Sequence, residues 1–104
     1  MSPKLFEYKG IEVFFYASEH LPIHVHAYYG SEYGMKVEFI LLNEKIKKVE
    51  YKRLKGRKLL LSAQLKDLKN LINHFGDDIV NDWISFFILK KTKIKLRTIT
   101  KTIK

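Results

Sequence analysis

The spacing of apolar residues changes near residue 58 of this chain, and that change limits the folds open to it. Before it, apolar and polar residues alternate. Met35, Val37, Phe39 and Leu41 interleave with Lys36, Glu38 and Ile40, and Ile11, Val13 and Phe15 with Glu12 and Phe14. A period of two is the signature of strands with one buried face. After it, Leu61, Leu65, Leu68, Ile72 and Phe75 recur every three or four residues, the spacing of one helix face. Strands followed by helices, rather than strands alternating with helices, predict an α+β fold.

The strand-forming half divides at its turn residues. Leu5 to Tyr8 and Ile11 to Tyr16 flank Lys9-Gly10, a two-residue hairpin turn. Pro22 lacks a donor and disfavours helix at Leu21, so residues 17–23 read as a loop. His24 to Tyr29 resumes a strand, Gly30 and Gly34 bracket a turn, and Met35 to Leu41 follows. Asn43-Glu44 is the next turn, and Ile46 to Arg53 reads as a lysine-rich edge strand. Gly76 suits a helix C-terminus, and Asp77 and Asp78 suit the first turn of another helix. The prediction is a single α+β domain over residues 1–104. It has an antiparallel sheet of about five strands with two helices packed on one face. A last strand runs over about 94–98, and a basic tail frays from about Ile99.

Composition narrows the function classes. The 104 residues contain no cysteine, so disulfides, thiolate metal sites and cysteine nucleophiles are excluded. No stretch approaches the roughly 18 apolar residues of a membrane span. A soluble cytoplasmic protein is the expectation. The formal charge is +9 and is concentrated in two places. Residues 44–58 hold eight Lys/Arg against two Glu, and residues 90–104 hold seven against none. Basic segments on a mildly acidic body suggest a polyanionic partner such as RNA. Lys36, Lys45, Lys47, Lys48, Lys52, Arg53, Lys55, Arg57 and Lys58 are the candidate phosphate contacts, and Tyr16 and Tyr28 the candidate base-stacking rings. Only three of the twenty basic residues are Arg, the side chain whose fork best suits phosphate, so the lysines also fit a solvated surface.

Three of the four histidines fall in EHLPIHVHAYYG, residues 19–30. Alternation puts His24, His26 and Tyr28 on one side of their strand, with Val25, Ala27 and Tyr29 on the other. The wholly apolar sets must bury together, since the opposite register would put Glu12 in the core. Antiparallel pairing then sets Glu12, Phe14 and Tyr16 beside Tyr28, His26 and His24, with Lys36 and Glu38 on the same outer, polar face. Two imidazoles roughly 7 Å apart at Cα leave three uses open. They can share a divalent transition metal (Zn, Ni or Fe) with His20 and one of Glu12, Glu19 or Glu38. They can divide acid and base roles without a metal, with Lys36 stabilising a phosphoryl oxygen and His20 assisting. Or they are structural, on a face that binds a protein partner. An edge strand at 46–53 or 93–98 also allows a homodimer.

The run Ile11 to Tyr16 followed by E-H-L-P-I-H-V-H-A resembles a bacterial family, domain of unknown function 4160. Its members carry G-I-x-I-x-F/M-Y-x-x-D/E-H-x-P-P-H-x-H and a later helical Trp. Gly10, Tyr16, His20, Pro22, His24, His26, Ala27 and Trp83 match that pattern. Glu19 stands where the family usually has Asp, and Leu21 and Ile23 replace prolines. The resemblance implies no established activity. It adds His20 to the histidine pair and implies association with toxin–antitoxin-like modules, hence RNA or a cognate protein as partner.

Overall fold

The computed structural model describes residues 4–15, 22–90 and 94–103. Five strands come first: β1 (Lys4–Tyr8), β2 (Ile11–Phe15), β3 (Ile23–Tyr29), β4 (Tyr33–Leu42) and β5 (Lys45–Arg53). Helix α1 (Ser62–Trp83) runs on into a π-helical turn at Ile84–Ile88, and β6 (Arg97–Ile99) ends the order. The six strands form one sheet in the order β5-β4-β3-β2-β1-β6. The first five pair antiparallel, each with the next.

The two short turns are where the residue types predict them. Lys9 and Gly10 both have positive φ, as do Asn43 and Glu44. Mirror-image turns of this kind match the twist of the strands they join. Gly34, expected in a turn, is instead inside β4.

The apolar sets of the strands meet α1. Ile11, Val13, Phe15, Val25, Ala27, Val37 and Phe39 are buried with Leu68, Leu71, Ile72, Ile79, Val80 and Trp83. The helix is one element and not the expected two. Gly76 does not end it; it occupies a core position in an unbroken row with Ile72, Ile79, Val80 and Trp83. A Cβ there would lie 3.2 Å from Ile46 Cδ1 and 3.8 Å from Phe39 Cε1. The glycine faces Ile46 and Phe39 of the sheet, and Asp77 and Asp78 are simply on the exposed side.

The sheet is mixed rather than antiparallel, and has six strands rather than five. β6 pairs parallel with β1, Phe6 opposite Arg97 and Tyr8 opposite Ile99. Alternation alone does not encode direction. A strand that follows a long helix can return at the end of the sheet where β1 begins, which gives parallel pairing. Arg97 holds the strand in place, bonding Asp82 Oδ2 at 3.1 Å and lying 5.4 Å over the Phe6 ring. Ile99 therefore belongs to a strand and not to a tail, and beyond it the Ile103 amide donates to Tyr8 Oη at 2.9 Å. No described helix is long and apolar enough to cross a membrane.

Candidate functional site

Register assembles the site. Glu12 faces Tyr28 and Phe14 faces His26 across β2–β3. His24 faces Glu38 and His26 faces Lys36 across β3–β4. Lys36 then faces Lys52, and Glu38 faces Glu50, across β4–β5. These residues share the face away from α1, as alternation predicts. Tyr16, Glu19 and His20 lie outside the described residues.

The face is not the open polar surface that was expected. His24, His26 and Glu38 are only 6%, 7% and 6% exposed. Among the described residues, 54–58 fold back over this face after β5. The Gly34 amide donates to Lys58 O at 3.0 Å and the Lys58 amide to Glu32 O at 2.9 Å. A Cβ at Gly34 would sit 3.1 Å from the Tyr28 ring, 3.2 Å from Arg57 Cγ and 3.3 Å from Leu54 Cδ2. A side chain there would push Tyr28, Arg57 and Leu54 apart by a few tenths of an ångström. Arg57 then lies with its guanidinium 4.6 Å over the Tyr28 ring, an arrangement favoured by the ring quadrupole. Tyr28 is thus stacked on Arg57, where a nucleic-acid base was expected.

What remains is a cleft of about 610 Å³. His24, His26, Tyr28 and Pro22 line it together with Lys36, Glu38, Arg53, Leu54, Lys55 and Arg57. The histidine rings are 5.8 Å apart between centroids. His24 Nδ1 donates to the Pro22 carbonyl at 3.0 Å. That bond fixes the Nδ1 proton and the orientation of the ring. His26 Nδ1 and Tyr28 Oη are 3.2 Å apart, a hydrogen bond whose sense follows the ring's tautomer.

The charges are partly spent on one another. Glu38 meets Lys52 at 2.7 Å and Lys36 at 3.4 Å, one on each oxygen. Lys52 chiefly, with Lys36, holds the Glu38 carboxyl below its usual range against the effect of burial. Glu12 is bonded to Lys4 at 2.6 Å. Lysines therefore occupy both described carboxylates expected as metal ligands. Among the described residues no group of three or more His, Asp or Glu is placed to hold a metal ion.

The basic stretch 45–58 is divided by the fold. Arg53, Lys55 and Arg57 join Lys36 at the cleft, and Lys52 reaches it through Glu38. Lys48 pairs with Glu50 at 3.2 Å and Lys58 with Glu32 at 3.4 Å. Lys47 and Lys48 line a separate groove with Tyr51 and Lys69, and Lys45 starts β5 at the far end of its strand. Leu54 went unnoticed in the sequence, and Gly34 was read only as a turn residue. Their signals are an apolar residue inside the run KRLKGRK and a glycine inside a strand pattern.

Burial first, then the neighbouring His24 and Lys36, pushes His26 down from 6.5 to about 4. Between those values the unfolded chain binds a proton that the native ring refuses. Stability therefore falls as pH drops from 6.5 towards 4, by roughly 3 kcal/mol in full. Denaturant unfolding at pH 7 and pH 4 should show the His26→Asn variant losing less stability over that range by about this amount. Equal losses in the two proteins would contradict the burial of a neutral ring.

The model of domain of unknown function 4160 (DUF4160) matches residues 10–84, well over half of the chain. No curated protein and no solved structure gives a significant match.

Proposed function

Because the chain belongs to the DUF4160 family, whose name assigns no activity, we propose a role from the cleft itself: it binds RNA through phosphate and acts on the phosphodiester with two histidines. The observation that carries this reading is the composition of one cavity. Two buried imidazoles lie beside Lys36, Arg53, Lys55 and Arg57, and the one carboxylate among its described lining residues is already neutralised by lysines. Such a site favours an anion and repels cations. The net charge of +9 adds long-range attraction to a polyanion.

The chemistry follows from protonation. His26 is neutral near pH 7 and can accept the proton of a 2′-hydroxyl. His24, with Nδ1 donating to Pro22, would act as the acid in its doubly protonated form, passing the Nε2 proton to the departing 5′-oxygen and becoming neutral. The 2′-oxygen bonds to phosphorus as the bond to the 5′-oxygen breaks, so a cyclic phosphate and a 5′-hydroxyl result and no oxidant or water is consumed. Lys36, paired with His26 across the strands, would be the cation that stabilises charge on the phosphoryl oxygens.

The test is a titration of labelled single-stranded RNA at rising salt, with end analysis of any products. Affinity should fall steeply with salt as displaced counterions return. Absent or salt-independent binding would overturn the reading. It would leave the antitoxin-like, protein-binding role that the sequence also allowed.

A further inference from the structure

Resting on that reading, we infer that the RNA which reaches the histidines is unpaired: the cleft takes one nucleotide unit out of a single strand and excludes duplex. Depth is the first ground. The rings of His24 and His26 are each less than a tenth exposed, so a reacting phosphate has to enter the cavity rather than rest on its rim. Size is the second. A cleft of about 610 Å³ falls among pockets that enclose small molecules, roughly 300–1,000 Å³, room for a nucleotide unit but not for the body of a double helix.

Rigidity is the third ground. The wall at 54–58 is fastened at Lys58 by two backbone hydrogen bonds, to Glu32 and from Gly34. Arg57 lies against Tyr28, and Leu54 closes on Gly34. A wall held at both its backbone and its side chains is not pushed aside by an incoming helix.

Duplex RNA presents its phosphates on a wide, stiff A-form surface with every base stacked inside. Bringing one phosphate and its 2′-hydroxyl down to the imidazoles requires that nucleotide to leave the stack. In a duplex this costs pairing and stacking energy; in a single strand it costs little. The cations at the rim attract both forms, so discrimination arises at the buried end of the cleft.

The experiment uses the full chain at low salt, below any detectable turnover. One short oligoribonucleotide is titrated as a single strand, and again annealed to its complement. The strand should bind more tightly by roughly tenfold or more. Equal affinities, or a preference for duplex, would overturn the inference and leave the RNA reading of the cleft standing. No affinity for either form removes that reading and the inference with it. The preference should shrink in a Leu54→Ala, Arg57→Ala variant, whose wall is cut back. A preference undiminished there would place discrimination elsewhere on the molecule and overturn the assignment to this cleft.

Discussion

Alanine at both His24 and His26 is expected to lower RNA turnover by about three orders of magnitude while affinity stays within roughly threefold. On the proposed reading, attraction to phosphate comes from Lys36, Arg53, Lys55 and Arg57, which line the cleft, and proton transfer from the two imidazoles. Removing the rings should therefore reduce kcat and leave binding nearly intact. Both rings are buried, so the alanine pair also opens a cavity. The His24→Asn, His26→Asn pair keeps most of the volume and lacks a titrating nitrogen, and it should lose turnover to the same degree. Undiminished turnover in a folded Asn pair would remove the acid and base roles from these residues.

The second large effect is on stability. Phe15→Ala should cost about 3–5 kcal/mol, a large part of the roughly 5–15 kcal/mol that holds a domain of this kind together. Phe15 has no solvent exposure. Phe86 stacks on it at 6.0 Å and Phe87 meets it edge-on at 5.6 Å. It is the side chain through which β2 grips the π-helical turn after α1. Trp83→Phe serves as the contrast. Trp83 is buried against Phe87 at 5.1 Å, yet its Nε1 has no hydrogen-bond partner. The change keeps an aromatic ring and removes an unsatisfied donor, so it should cost clearly less, about 1 kcal/mol. Denaturant midpoints at constant m-value measure both. Equal losses would contradict the unsatisfied indole.

What the sequence made legible was local or set by parity. Hairpin turns depend on two residues, and Lys9-Gly10 and Asn43-Glu44 are where they were expected. Register depends on which face is apolar, and that placed Glu12 opposite Tyr28 and Phe14 opposite His26. The same parity put His24, His26, Lys36 and Glu38 on one face. Features built from non-local contacts were not legible. Gly76 reads as a stop signal until Ile46 and Phe39 are seen to press against it. β6 reads as a strand with no stated direction until it meets β1. The most consequential case is residues 54–58. By composition they extend a basic surface, but hydrogen bonds to Glu32 and Gly34 turn them into a wall. That wall lines the cleft beside the histidines, and it separates Arg57 and Lys55 from Lys47 and Lys48.

The cleft, more than the charged surface at large, is held responsible for RNA binding, and the salt dependence of affinity tests that directly. Single-stranded RNA is titrated over a range of salt concentrations against the unaltered protein and a Lys36→Ala, Arg57→Ala variant. Each phosphate contact contributes about 0.7 to the slope of log affinity against log salt on a single strand. The variant's slope should be shallower by roughly 1.4, with weaker binding at every salt concentration. A variant with the slope and affinity of the unaltered protein would show that RNA is held elsewhere, and the cleft would lose its assigned role.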